Sequence, residues 1–397
     1  MARNRLTVIQ LLPALNAGGV ERGTLEIASA LVAAGHRSVV VSTGGRLVEE
    51  LQAVGSEHIT LPVAAKRPGT LLGVSRLRRL FEALDADIVH ARSRVPAWLT
   101  FLAWRRMPKD TRPKFVTTVH GFYSVNWYSA VMTKGERVIA VSDSIRTYIA
   151  ENYTVDIAKV ITVYRGIDRE AYPYGYEPSA AWLDHWQQGM PSRKRLNTSQ
   201  PNAGAGNTRQ TKSQVASPGK DVPLIVLPGR LTRLKGHETF INLMAELSRR
   251  GVVVQGLIVG GEDAKRLPYA RSLYQRAEAL PVTFTGHRQD LREIMTQAQV
   301  VLSLSTQAES FGRTVLEALS IGRPVIGFDH GGVGEILGKL YPEGRLDVAS
   351  TPGTLADKVE RFLVQPPPVL THTEFALRTM QSRTLALYEE LAQGHPS

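Results

Sequence analysis

The sequence predicts an α/β protein of two doubly wound domains, and three observations carry that expectation. Short Val-, Ile- and Thr-rich runs alternate with helical patterns, and they do so twice. A polar tract separates the two series. The length of 397 residues also exceeds one ordinary core, since a domain takes about 100–200 residues. Hydrophobic residues at 43% and charged residues at 21% exclude wholesale disorder and a fibrous repeat. Without Cys there is no disulfide framework, thiolate metal site or cysteine nucleophile, which fits a reducing compartment, the cytosol by default.

The first series runs through LTVIQLL (6–12), SVVVST (38–43), DIVHAR (87–92), KFVTTVH (114–120) and RVIAVS (137–142). Arg3 and Arg5 before LTVIQLLPAL imitate a secretion signal. That run, however, feeds a Gly-Gly turn and a helical pattern, so it reads as a first strand. A helix over Glu21 to Ala34 places Leu25, Ala28, Leu31 and Val32 on one face, with Gly35 as its C-cap. From Leu183 to Lys220 the chain is polar and reads as a linker or disordered insertion, and its RKR (193–195) as solvated charge. The second series is PLIVLPG (223–229), VVVQGLIVGG (252–261), PVTFTG (281–286), QVVLSLS (299–305) and RPVIGFD (323–329). Helical patterns fall near 237–250, 288–297, 312–321 and 353–364, and a last one, 372–392, follows the Pro366–Pro368 break. The division is therefore an N-terminal Rossmann-like domain over 1–170, a linker over 171–222, a C-terminal Rossmann-like domain over 223–370, and a helix over 371–397 that braces the first domain. The two domains are expected to face a central cleft. No stretch approaches the roughly 18 apolar residues of a membrane span, which leaves peripheral membrane contact.

Charge is uneven. Residues 1–170 hold 23 Lys and Arg against 15 Asp and Glu, a balance of +8 out of the total +12. A nucleic acid, an anionic membrane or a phosphorylated substrate would each suit the basic half.

Two glycine pairs sit at strand-to-helix junctions, Gly18-Gly19 and Gly260-Gly261. Each serves equally as a plain tight turn or as a place where an anion approaches free helix N–H groups. In PGRLTRLKGHETF (228–240), Arg230 and Lys235 lie five apart on a predicted loop, from which both cations can reach one diphosphate. In AESFGRTVLEAL (308–319), Glu309 falls on the loop after a strand and Glu317 two turns into a helix. As ionised carboxylates both are pure acceptors suited to sugar hydroxyls.

These spaced motifs, followed by a turn at GGVGEIL (331–337), resemble those of glycosyltransferase family 4, the retaining, nucleotide-sugar-dependent enzymes of the GT-B fold. GGVE (18–21), DIVHARS (87–93), TVHG (118–121), AVSDS (140–144) and VYRGID (163–168) extend the resemblance over nearly the whole chain. It implies that Arg230 and Lys235 hold the donor diphosphate and stabilise its developing charge. It further implies that Glu309 binds the donor sugar, Glu317 the ribose, and that Phe311 and Gly312 present backbone donors to the phosphates. Gly18, Gly19 and Gly260 would let the donor approach, and His120 would lie beside the reacting sugar. No cofactor or metal is implied, and a front-face mechanism is. Asp85 and Asp87 have the spacing of a metal-binding DxD pair, but Asp87 opens a strand away from the expected cleft. Two departures stand out: Arg165 occupies a place where many relatives have Asn, and the polar tract is long.

The acceptor would belong to the basic domain. KRPGTLLGVSRLRRLF (66–81) and RSRVPAWLTFLAWRR (92–106) offer Arg76, Arg78, Arg79, Arg92, Arg94 and Trp98 as a face for an anionic membrane or phosphorylated glycolipid. Equally, these are ordinary domain helices with Trp98 and Trp104 in the core. Overall the resemblance points to a hexosyltransferase acting on lipopolysaccharide core or another cell-envelope glycan. UDP-glucose is the expected donor, and the place of action the cytoplasm or the cytoplasmic face of the inner membrane. The alternative class is a non-catalytic nucleotide- or nucleic-acid-binding protein; Glu309 and Glu317 would repel a phosphate backbone. An NAD-dependent oxidoreductase lacks its GxGxxG, and a pyridoxal-phosphate phosphorylase lacks a matching lysine context.

Overall fold

The computed structural model describes residues 5–16, 18–63, 70–188, 222–262 and 267–394, the side chains of 70–72 excepted. The chain forms two compact units. The first comprises 1–169, 309–311 and 373–397, and the second 170–308 and 312–372.

In the first unit seven strands build one parallel sheet: β1 (Thr7–Leu11), β2 (Arg37–Ser42), β3 (Glu57–Thr60), β4 (Ile88–Ala91), β5 (Lys114–Val119), β6 (Arg137–Ala140) and β7 (Val160–Thr162). Their order is β3-β2-β1-β4-β5-β6-β7, which puts the topological switch point between β1 and β4. The run that imitates a secretion signal is thus a central strand, paired with both β2 and β4. Parallel strands are covered on both faces, so their residues are apolar in both phases of the pleat. Ile9, Leu11, Val89 and Phe115 pack on one side with Leu77, Phe81 and Trp104. Val8, Ile88 and Val116 pack on the other with Met380, Leu387, Tyr388 and Leu391 of the helix Leu377–Gln393. Each such buried side chain contributes roughly 1.5–3 kcal/mol, as an upper estimate.

The second unit has its own parallel sheet of β8 (Leu224–Pro228), β9 (Gln255–Val259), β10 (Val282–Phe284), β11 (Val300–Ser303), β12 (Val325–Phe328) and β13 (Arg345–Leu346). The order β10-β9-β8-β11-β12-β13 sets its switch point between β8 and β11.

Three sequence expectations need correction. GGVGEIL opens the helix Gly331–Leu340: Gly331, at φ 55°, turns the chain into it, and Gly332, Val333, Gly334, Ile336 and Leu337 are buried, so Gly332 and Gly334 are helical packing positions. The polar tract does not begin at Leu183, because Ala180–Gln188 is helical. Trp182 and Trp186 stack there with centroids 5.0 Å apart, and the Trp182 indole donates to Asp290 at 2.8 Å. The rest of the tract, with RKR, lies outside the described residues. Finally, VVVQGLIVGG pairs only from Gln255, and Val253 stands exposed before it.

Candidate active site in two halves

Polar residues gather at the carboxyl ends of the strands in both units, the edge where doubly wound sheets take ligands. In the second unit the loops that follow the two switch-point strands are stitched together. After β8 come Gly229, exposed Arg230 and half-buried Lys235, whose aliphatic stem lies over Gly229. After β11, Thr306 N–H donates to the carbonyl of Leu234 at 2.9 Å. Gly236, at φ 73°, is so close to the Leu304 carbonyl that a Cβ there would lie 1.9 Å from its oxygen. Buried His237 braces the same loop, its two ring nitrogens 3.3 and 3.2 Å from the carbonyls of Gly229 and Thr232. His330 Nε2 donates to the Ser305 carbonyl at 2.9 Å and steadies the β11 loop from the far side. Two cations are thereby presented from a rigid loop.

Gly260 has a different reason from the one its Gly-Gly context suggested. A Cβ at that position would lie 1.8 Å from the Gly229 carbonyl oxygen. It therefore permits the close approach of two backbones beneath Arg230. Gly312 sits at φ 93° before the helix Arg313–Ser320, where Val333 occupies the space a side chain would need. Glu317 is only the fifth residue of that helix, little more than one turn in, and is buried. Arg313 Nε donates to it at 3.2 Å. The Tyr172 phenol is pushed up to about 12, chiefly by burial and next by the Glu317 charge. Glu309 is half-buried on the loop before that helix. Phe311 groups with the first unit, where its ring is buried beside Phe375 and Tyr164, with centroids 5.7 and 6.5 Å away.

In the first unit, Gly18 and Gly19 follow β1 and open the helix Gly19–Ala33; a Cβ at Gly19 would meet nothing within 4 Å. His120 follows β5. Its Nδ1 lies 2.7 Å from Arg165 Nη2, and Arg165 Nη1 donates to the Gly19 carbonyl at 2.6 Å. The arginine that stood out as a departure thus joins two of the candidate residues. Burial, then the Arg165 charge, holds the His120 pKa well below the ordinary range.

Arg92 does not belong to an exposed acceptor face. It is buried, with Nε donating to Gln10 at 2.7 Å, and it stands beside a buried chain in which His90 bonds Tyr388 and Thr118, each at 2.6 Å. Trp98 is half-buried on the core and donates to the Tyr128 carbonyl at 2.8 Å, and Trp104 is buried. Arg94 is held over the rings of Tyr123 and Tyr128, 4.9 and 5.5 Å from their centroids. Arg76, Arg78 and Arg79 do stand exposed, on the helix Thr70–Ala83.

A surface missed in the sequence lies immediately after His120. Phe122, Val125 and Trp127 are exposed, Trp127 at 76%, with its ring edge-on to Trp98 at 5.5 Å. The signal was present in GFYSVNWYS, where four aromatics crowd nine residues after a strand. Asp87 accepts the Thr7 N–H at 2.7 Å, and Asp85 occupies a left-handed turn at φ 47°, so both parts of the DxD pair serve the chain. Among the described residues no three His, Asp or Glu converge as metal ligands, and no helix is long and apolar enough to cross a membrane.

Burial holds the His90 pKa well below the ordinary range and lowers that of His237. The unfolded chain takes up a proton near pH 6.5 that folded His90 refuses, so its stability contribution is complete above that pH and falls below it, by about 1.4 kcal/mol per pH unit. Melting temperatures are expected to fall by a few degrees between pH 7.5 and 5.5, and an unchanged value would contradict the neutral state of the His90 ring.

Two doubly wound parallel-sheet units in one chain place it in the GT-B class of fold. Residues 17–171 match the model of Glycosyltransferase Family 4, and residues 208–375 that of Glycosyl transferases group 1. The chain belongs to glycosyltransferase family 4. It is similar to a glycosyltransferase from Rickettsia africae, with a TM-score of 0.80 and 26% identity over 99% of this chain and 100% of that one. The HepE protein of Anabaena, solved in complex with UDP-glucose, gives a TM-score of 0.73 at 18% identity over 96% and 99% of the two chains. Among curated proteins, the alpha-D-kanosaminyltransferase of Streptomyces kanamyceticus is 32% identical over 155 residues, 37% of this chain and 38% of its own length. The match thus spans well under half of that relative.

Proposed function

We propose that the protein is a retaining, metal-independent glycosyltransferase that moves a hexose from a nucleotide-diphosphate sugar, UDP-glucose first among them, to an anionic cell-envelope glycan or glycolipid such as lipopolysaccharide core. The observation that carries the reading is the stitched pair of loops that presents Arg230 and Lys235 next to the β11 loop leading to Glu309. As the bond from the anomeric carbon to the donor phosphate breaks, negative charge collects on the leaving diphosphate, and preorganised cations lower that barrier. The acceptor oxygen bonds to the same face of the anomeric carbon, and its proton passes to the leaving phosphate oxygen. Glu309 accepts hydroxyl hydrogen bonds from the sugar, and Glu317, neutralised by Arg313, from the ribose. The HepE complex supports UDP-glucose as the donor to try first.

An anionic acceptor is favoured over a polyamino sugar because the basic half would repel a polycation. Arg76, Arg78 and Arg79 suit phosphates, and the exposed Phe122, Val125 and Trp127 suit an apolar portion of the acceptor. Melting curves with UDP, GDP, ADP and NAD, each with and without EDTA, test the donor, since a ligand of the folded state raises its melting temperature. A rise with UDP that survives EDTA, followed by UDP release from UDP-glucose in the presence of a phosphorylated glycolipid, is expected. Stabilisation by none of the four, or a requirement for a divalent ion, would overturn the reading.

A further inference from the structure

Gly23 is an anomaly in its helix. It lies in the interior of Gly19–Ala33, where glycine is unfavourable relative to alanine, and its backbone is ordinary helix. The space its missing side chain leaves is occupied: a Cβ there would lie 2.4 Å from Arg165 Nη1. Arg165 uses that seat to reach two partners, the Gly19 carbonyl at 2.6 Å and His120 Nδ1 at 2.7 Å. A guanidinium has only donors, so Nδ1 of His120 must accept, and a neutral ring must then carry its proton on Nε2. Nε2 is enclosed and has no partner among the described residues. Arg165 is itself buried, at 8% exposure, which limits the geometries open to it.

We propose that Arg165 is a positioning residue: seated over Gly23, it holds His120 as the neutral Nε2–H tautomer and ties that ring to the Gly18-Gly19 turn. The inference rests on the reading of His120 as a residue beside the reacting sugar. It assigns His120 a neutral ring of fixed orientation, and it excludes a proton-donating imidazolium. The nearby Arg92 acts in the same direction, since an added positive charge on His120 would face its guanidinium. Tyr123, whose hydroxyl accepts the His120 backbone N–H at 3.4 Å, leaves Nδ1 to Arg165.

The test uses the full-length protein labelled with nitrogen-15 histidine, with the His120 signals assigned by their loss in His120→Gln. Two-bond proton–nitrogen spectra at pH 7.5 separate the tautomers. Wild type is expected to show His120 as Nε2–H alone. Arg165→Met and Gly23→Ala are each expected to yield a mixture of tautomers and to lower kcat at least about tenfold, with the KM for nucleotide sugar little changed, as for a misplaced catalytic group. Gly23→Ala is the decisive variant. It favours the helix and moves Arg165 alone, so the protein should stay folded, with a melting temperature lowered by no more than the loss of the buried guanidinium's hydrogen bonds. Arg165→Lys, which keeps a donor, is expected to recover part of the Nε2–H population. A wild-type ring protonated on Nδ1, or a Gly23→Ala protein with unchanged spectra or unchanged kcat, would overturn the proposal. If wild type transfers sugar from no donor, the transferase reading fails and the spectra alone decide the role of Arg165. If transfer is normal and the ring is Nδ1–H, the role of Arg165 fails and the transferase reading stands.

Discussion

Arg230→Ala and Lys235→Met are each expected to cut kcat by about 10²–10³ while the melting temperature stays within a few degrees of wild type. The size follows from where the charges act. Diphosphate departure builds negative charge in the transition state beyond that in the bound donor, so a fixed cation at that place lowers the barrier more than it tightens binding. The neutrality of the fold follows from exposure. Arg230 is exposed, and the Lys235 stem, which packs over Gly229, is retained by methionine. Rates of UDP release under saturating donor, beside melting curves, make the measurement. Activity within about threefold of wild type in either variant would remove diphosphate stabilisation from this loop.

The second large effect is on stability, and it contrasts two neighbouring glycines. Gly260→Ala is expected to cost about 3 kcal/mol or more, in the range of overpacked core sites, and to lower the melting temperature by roughly 6–12 °C. A methyl group at Gly260 would meet the Gly229 carbonyl oxygen at 1.8 Å and its carbon at 2.4 Å, and neither can swing aside as a side chain can. Relief requires parting the ends of β8 and β9, where Gly229 N–H donates to Val259 at 2.9 Å and Leu231 N–H to Gly261 at 3.0 Å. Gly261→Ala is expected to cost little, because its Cβ would approach nothing nearer than the Cβ of His287 at 3.3 Å. Equal melting temperatures for the two variants would show that the close approach does not hold in solution. Because Arg230 follows Gly229 directly, Gly260→Ala should also lose activity at temperatures where it remains folded.

Much of this organisation is legible in the chain because it rests on local chemistry. Runs such as LTVIQLL and QVVLSLS announce parallel strands buried on both faces, and the ends of those runs are where a doubly wound sheet must place its ligand loops. Arg230, Lys235, Glu309 and His120 could therefore be named before any coordinate. Side-chain direction was less accessible. Arg92 reads as a surface cation beside Arg94, yet it ends a central strand and is buried against Gln10, because position in the sheet outweighs residue type. GGVGEIL reads as a turn because glycine is unfavourable in helices, and packing overrides that propensity at Gly332 and Gly334.

By itself the sequence determined the class of fold, the order of its elements, the family and the loops that carry the candidate chemistry. Fold class and element order follow from periodicity along the chain, and the family from motifs that resemble its own. Only the tertiary structure decided that Gly260 serves a backbone contact, that Trp98 supports a loop while Trp127 stands exposed, and that Arg165 meets both His120 and Gly19 through a seat left by Gly23. Those contacts join residues 30 to 146 positions apart, and no local rule encodes such a separation. They arise when strands are laid side by side and the ends of distant segments come within a few ångströms of one another.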